Sequence, residues 1–303
     1  MVEASEAGPP LRQARLGLSA VLWRRPWLKA ALLLALPVLA FVLVYIGALA
    51  ALFISAFWQV DSFTGKVVHV WTKANFQTLW EDHTYWRIAW RTLWMAAAVT
   101  ITDAVLAFPL AFFMARLARR RLRALLFVLV LLPLWSSYLV RIYAWRVILA
   151  KNGALNWALN AVGLPDAGLA YTNTAMWIVF SYVWLPFMVL PVYAALERIP
   201  ESLLEASQDL GARTWWTFRR VILPLALPGI VAGSIFTFSL TLGDFITPAL
   251  VGGAGSSFIG NVVEDQIGIN GNIPFAAAFA SVSVIVMAIY LALAKRLGAF
   301  EAL

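Results

Sequence analysis

The chain has 303 residues, 62% of them apolar and 13% charged, with a net charge of +8 and no cysteine. Soluble domains run at about 45–50% apolar and about 25% charged, so the composition argues against a water-soluble fold. The missing cysteine excludes disulfides, thiolate metal sites, iron–sulfur clusters and thiol catalysis.

Residues 1–29 carry Gly8, Pro9, Pro10 and scattered arginines without apolar periodicity, and are expected to form a cytoplasmic tail. From there the apolar residues come in blocks long enough for helices to cross a hydrocarbon core about 30 Å thick. Six spans are expected, at 30–57, 88–115, 125–149, 174–196, 222–249 and 274–294, inside a membrane domain of 30–297. Residues 298–303 are left as a second cytoplasmic tail. The first block follows Arg24, Arg25 and Lys29 and contains Ala48, Ala50 and Ala51, which imitates a signal peptide. It is longer than a secretory core of about 7–15 residues, so it reads as an uncleaved first helix.

An even number of spans puts both ends on one side. Sixteen of the 23 lysines and arginines fall there: Arg12, Arg15, Arg24, Arg25 and Lys29; Arg116, Arg119, Arg120, Arg121 and Arg123; Arg198, Arg213, Arg219 and Arg220; Lys295 and Arg296. The positive-inside rule then places both termini in the cytoplasm. The basic excess is a topology signal, and nucleic acid is not an expected partner. The expected fold class is all-α, a polytopic membrane protein. Trp23, Trp27, Trp58, Trp86, Trp90 and Trp177 lie near span ends and are expected to anchor against membrane lipid.

Between 58 and 87 an outer loop is polar and aromatic, with Asp61, His69, Glu81, Asp82 and His83; its two histidines stand fourteen residues apart and read as surface groups. After the third span Leu155, Ala158, Leu159 and Val162 recur at helical spacing, and Gly163 with Pro165 stops them. From 252 to 271 glycines and asparagines surround Val262–Gln266, a turn or two of helix at the outer mouth. Both outer segments are candidate docking surfaces.

The segment 197–221 is too patterned for a simple turn. Pro200 suits the start of a helix, Glu201 and Glu205 favour its positive end, Leu203, Leu204 and Leu210 supply apolar contacts, and Gly211 suits a left-handed stop. A second helical stretch, 212–220, leads into the fifth span. Two short helices joined directly to spans make a rigid knob able to transmit a push.

Glu205, Ala206 and Ser207, Gly211 six positions after Glu205, then Val221, Leu223 and Pro224 resemble the EAA loop of type I ABC importer permeases. Ser207 stands where that family commonly has a second alanine, and Val221 where it has isoleucine. The resemblance implies the type I importer permease fold and a coupling helix seated on a cytoplasmic ABC ATPase dimer through Glu205, Ala206, Ser207, Asp209 and Gly211. It also implies a second homologous permease subunit, a solute-binding protein outside, and a bacterial inner-membrane location. The stretches 137–145, 152–156, 242–248 and 259–266 are similar to spermidine/putrescine-type permeases, so the resemblance implies a polyamine as the solute, with another small cationic or organic solute as the alternative. Neither glycine-rich stretch, at Gly65 or at 252–255, has the Lys-Ser/Thr of a phosphate-binding loop. ATP hydrolysis is therefore expected in a separate subunit, and the chain needs no cofactor or metal.

Asp103 stands twelve residues beyond Arg91 in the second span, about 18 Å deeper at the rise of a helix. An aspartate at the centre of a membrane helix costs about 2.5–3.5 kcal/mol, so such residues face a bundle interior, a partner or a water-filled path. Asp244 and Arg141 fall in the outer halves of the fifth and third spans. Two readings stand side by side, a structural Asp244–Arg141 ion pair and an Asp244 that faces an aqueous vestibule and attracts an ammonium group. Gly243 and Pro248 suggest a broken helix there. Tyr138, Tyr143, Trp145 and Trp184 offer aromatic faces for a cation, each worth about 0.5–2 kcal/mol. Gly229 and Gly233 permit close approach to another span or to a partner permease. A secondary carrier driven through Asp103 or Asp244 has no use for the cytoplasmic knob, and no His or Cys lies in a span to equip an intramembrane enzyme.

Overall fold

The computed structural model describes residues 26–61 and 63–296. The basic residues from Arg12 to Arg25 and the tail at 298–303 lie outside the described residues. The chain divides into two compact units at Ser55 and Ala56. In the first, α1 (Pro26–Ala40) and α2 (Gly47–Ser55) are joined through a wider π-type turn at Phe41–Ile46. Its helix begins at Pro26, four residues before the expected span, and Phe41 stacks on Tyr45 at 5.2 Å.

The second unit opens with a departure from pure helix, a two-residue antiparallel pair of β1 (Gln59–Val60) and β2 (Val67–Val68). Asp61 closes its turn by accepting the Phe63 and Thr64 amides at 2.8 Å each, and Gly65 takes φ +65°. Those amides hold the Asp61 carboxyl below its ordinary pKa. Then follow α3 (Ala74–Glu81), α4 (His83–Phe112), α5 (Arg120–Leu131), α6 (Tyr138–Ile148), α7 (Ala154–Ala161) and α8 (Asn173–Glu197). The rest is α9 (Glu201–Asp209), α10 (Thr214–Thr217), α11 (Leu223–Gly243), α12 (Ile246–Val251), α13 (Ile259–Gly268) and α14 (Ile273–Arg296). Asp82 caps α4 by accepting the Thr84 amide at 2.8 Å. That bond lowers the Asp82 pKa, so the anionic cap persists at neutral pH and is lost only on acidification.

Among the described residues five helices are long and apolar enough to cross a membrane, and six if a bent pair counts as one span. That pair corrects the expectation of a continuous third span over 125–149. Its halves, Arg120–Trp135 and Tyr138–Ile148, meet at 94°. Pro133 has no amide to extend α5, the chain tightens into a 3-10 turn at Leu132–Trp135, and Ser136 and Ser137 are extended (ψ 152° and 137°). The fifth span, expected over 222–249, is likewise broken, between α11 and α12 at Asp244.

α8 lies at the centre, against α4 and α11. Towards the α9 end of the bundle Ala107 and Ala111 of α4, Met188, Val192 and Leu196 of α8 and Ala226 of α11 form one buried cluster; towards the opposite end Val99, Ile142, Met176, Phe180 and Phe258 form another. Small residues set the helix spacing, since lipid gives apolar side chains little reason to prefer protein over tails. Gly229 and Gly233 make their close approach to α8 within this chain. A methyl group at Gly229 would clash with the Ala195 side chain and lie 2.6 Å from the Pro191 carbonyl oxygen. One at Gly233 would lie 2.7 Å from Met188 Sδ and 3.1 Å from its Cα.

Overpacking of this kind costs about 1–3 kcal/mol. Gly233→Leu is therefore expected to lower the melting temperature of the detergent-solubilised protein by several degrees. Gly243→Ala, where nothing lies within 4 Å, should leave it unchanged.

Candidate functional site

Three sets of polar residues stand apart from the apolar bundle: an exposed knob at one end, a buried carboxylate in the middle, and a capped helix break near the other end. The knob begins where Pro200 (φ −64°, ψ 139°) turns the chain out of α8 and into α9, with Glu201 in the first turn. It ends in a Schellman motif: the Ala212 amide donates to the Ser207 carbonyl at 3.1 Å and the Gly211 amide to that of Gln208 at 2.8 Å. Gly211 adopts φ +75°, which a side chain tolerates poorly.

Glu205, Ala206, Asp209 and Gly211 all lie exposed on α9 and its cap. Ser207 does not join them, because it is half-buried and shares a 2.9 Å hydrogen bond with Thr217 of α10, fastening the two short helices together. Leu210, 89% exposed, projects beside that face. Clefts flank α9 on two sides. One, of about 550 Å³, is lined by Leu204, Gln208, Trp215 and Phe218; the other, of about 470 Å³, by Leu203, Ala206, Leu210 and Trp216. The Arg220 guanidinium stacks 4.4 Å from the Trp216 ring. A rigid, solvent-facing helix between two apolar clefts is suited to seating in a groove of another protein.

In the middle of the bundle Asp103 is fully buried on α4, and neither carboxylate oxygen has a hydrogen-bond partner among the described residues. The neighbouring hydroxyl is Ser181 of α8, itself unpaired. Thr237 of α11 donates to Thr100 one turn away at 3.4 Å, and Tyr290 of α14 donates to Ser234 at 2.8 Å. Polar side chains from four helices thus meet inside the membrane domain.

At the break after α11, Asp244 is 7% exposed. Its Oδ1 accepts the amides of Ile246 at 2.8 Å and Thr247 at 3.3 Å, and its Oδ2 accepts the hydroxyls of Thr247 at 2.7 Å and of Tyr138. Asp244 is thus the cap that lets α12 begin inside the membrane domain. Among the described residues the Asp244–Arg141 ion pair, one of the two expected arrangements, is not made, while Arg123 pairs with Glu197. In this conformation Asp244 does not open onto a vestibule either, since four donors occupy it. Arg141 lies with its guanidinium carbon 5.9 Å from the Tyr138 ring centre, and its Nε and Nη1 are buried without partners among the described residues.

Tyr138 stacks on Trp184 of α8 at 5.4 Å. Ser181 precedes Trp184 by one turn, so Asp103 and the Tyr138 stack meet the same strip of α8. Trp145 packs on Tyr182 at 5.2 Å, and Tyr143 is exposed near Arg146; neither joins the Asp244 cluster. Sequence reasoning missed Thr247, although a threonine three residues after an aspartate beside a glycine is a capping signal. It also missed Arg91, whose guanidinium ties down the 252–258 loop through the carbonyls of Gly255 and Ser257.

Residues 107–299 match the family described as binding-protein-dependent transport system inner membrane component. The chain belongs to that family. It is 51% identical over 298 residues to the inner membrane ABC transporter permease protein YdcU of Escherichia coli (strain K12), covering 94% of this chain and 95% of that one. It is 38% identical to the spermidine/putrescine transport system permease protein PotB of Haemophilus influenzae, covering 68% and 72% respectively. Among solved structures a bacterial ABC transporter involved in alginate import matches with a TM-score of 0.73 at 18% identity, over 92% of this chain and 98% of that one, which bears on the fold alone. The permease is thus the inner-membrane transport subunit of an ABC importer, of the type I importer permease fold.

Replacing Asp244 by alanine removes a cap worth about 0.5–2 kcal/mol. Asp244→Ala should therefore lower the melting temperature and open the 252–257 loop to protease, whereas Asp244→Asn, which keeps an acceptor for the Ile246 amide, should lose less than half as much.

Proposed function

We propose that this permease carries a polyamine, and that α9 is the coupling helix on which a separate ABC ATPase dimer acts. The observation that carries the solute reading is the 38% identity with spermidine/putrescine permeases over two thirds of the chain. The fully buried, unpaired Asp103 supports it as a carboxylate for an ammonium group on the substrate path, with the nearby Tyr138 and Trp184 rings adding cation–π attraction. Asp244, Arg141, Tyr143 and Trp145 are assigned to the outer end of that path, where Asp244 acts first as a helix cap.

The coupling reading rests on the exposed Glu205, Ala206, Asp209 and Gly211 between two apolar clefts, with Ser207 holding α9 to α10. In the full assembly a second permease subunit completes the pathway, and a solute-binding protein delivers substrate to the outer loops, α7 and α13. Both termini and the knob are assigned to the cytoplasm, the side with the arginine-rich loops.

A second reading, an importer for a solute bearing an acceptor group beside its amine, is favoured by one observation. Arg141 Nε and Nη1 and Trp184 Nε1 are buried donors without acceptors among the described residues, and a carboxylate or hydroxyl on the solute would satisfy them.

Uptake of labelled spermidine by cells expressing the permease with its partner subunits tests the solute. Competition by diamines is expected and competition by amino acids is not; the reverse pattern establishes the second reading. Asp103→Asn should reduce spermidine uptake about tenfold, the loss of about 1.4 kcal/mol of charge attraction. Glu205→Ala and Gly211→Val should each abolish uptake while membrane abundance stays normal, and wild-type uptake in both would remove α9 from coupling.

A further inference from the structure

The knob has a second attachment that the spans on either side of it do not provide. Arg116 stands in the π-type turn Phe113–Leu117 at the end of α4. Its Nη2 donates to the carbonyls of Leu196 at 2.7 Å and Ile199 at 2.6 Å, the last turn of α8 and the residue just before Pro200. Arg123, in the first turns of α5, donates from Nη2 to the Ala115 carbonyl at 3.2 Å and reaches Glu197 with Nη1 at 3.5 Å. Tyr193 donates its hydroxyl to the same Glu197 at 2.8 Å. Two guanidinium groups from the α4–α5 turn thus grip the end of α8 where it becomes the mount of α9.

Elementary geometry explains the choice of arginine. The last carbonyls of a helix have no intrahelical donors, and Pro200 contributes no amide to help them. One guanidinium nitrogen on a long stem donates both to Leu196 in the last turn of α8 and to Ile199 just beyond it, and its charge suits the negative end of the helix dipole. The Arg123–Glu197 pair has side chains 37% and 50% exposed, so its value lies in orientation rather than in stability.

We propose that Arg116 and Arg123 are positioning residues of transport, hitching α4 and α5 to the coupling helix so that its displacement is delivered to the bent third span. By sequence alone α9 pulls only on α8 and α11. Through the two arginines it also pulls on α5, which runs through the 94° elbow into α6, and α6 carries the Tyr138 that binds Asp244 and stacks on Trp184. Each link is a covalent, packed or hydrogen-bonded connection, and the arginines add directed bonds where α4 and α5 already pack against α8. This rests on the assignment of α9 as the coupling helix.

The test uses the complete importer in proteoliposomes, measuring both substrate uptake and ATP hydrolysis, with Ser202→Cys introduced at an exposed position of α9 to report cross-linking to the ATPase subunit. Arg116→Ala is expected to keep the cross-link and to keep ATP hydrolysis within twofold of wild type. Uptake per ATP should fall about five- to tenfold, within the usual range of coupling between sites. Arg116→Lys should recover part of that ratio. Arg123→Glu should lower it as well, and combining it with Glu197→Arg should restore it, a rescue that mere loss of folding does not allow. An unchanged ratio in Arg116→Ala, or a swap that rescues nothing, overturns the proposal while leaving α9 as the coupling helix. A cross-link lost in Arg116→Ala also overturns it, by making Arg116 a docking residue. Absence of the cross-link with wild-type arginines removes the coupling helix itself, and the proposal with it.

Discussion

Hydrocarbon offers no hydrogen bonds, so a helix that bends, stops or starts within a membrane protein must find partners for its freed backbone groups inside the protein. The arrangement of polar side chains in this permease follows from that constraint. Asp244 supplies acceptors where α11 gives way to α12. Asn261 answers the Phe245 carbonyl on the other side of the same break at 2.7 Å and accepts the Phe258 amide at 3.0 Å. Thr172 caps α8 by accepting the Ala175 amide at 3.1 Å, and Arg116 takes the carbonyls at the far end. Asp103 stands out because no break lies beside it and, among the described residues, its carboxylate bonds no backbone group.

The spans and the knob were legible in the sequence because they depend on local signals. Apolar runs of the right length marked the helices, and α8 and α14 lie within a residue or two of expectation. Pro200, Glu201 and Gly211 announced the start and end of α9 through backbone preferences that need no tertiary context. The short helix α7 was equally plain from the spacing of Leu155, Ala158 and Leu159. The elbow in the third span was harder. Pro133 in a membrane helix is compatible with a gentle kink or a complete break, and only the extended Ser136 and Ser137, set by what α6 packs against, decide between them.

The candidate site was read less fully because charge pairing is a matter of three-dimensional distance. Asp244 and Arg141 have matching depth and opposite charge, yet Asp244 is satisfied by two amides and two hydroxyls before the guanidinium reaches it. The arginines of the α4–α5 turn show the reverse. As a run of positive charge they report only sidedness, and their grip on the end of α8, 74 to 83 residues away, leaves no local trace. Likewise Ser207 sits within the exposed motif by sequence, while the fold turns it inward to Thr217.

The glycine contact between α8 and α11 carries a consequence for biosynthesis. The two helices that approach most closely are neighbours along the chain, separated by little more than the knob, so they form a hairpin whose closure asks for a short loop only. Once residue 243 has left the ribosome, the axis of the bundle has every residue it needs. What is made afterwards, α12 to α14, is added against a finished surface. The knob of α9 and α10 is thus in place at the tip of that hairpin before α12 to α14 are made.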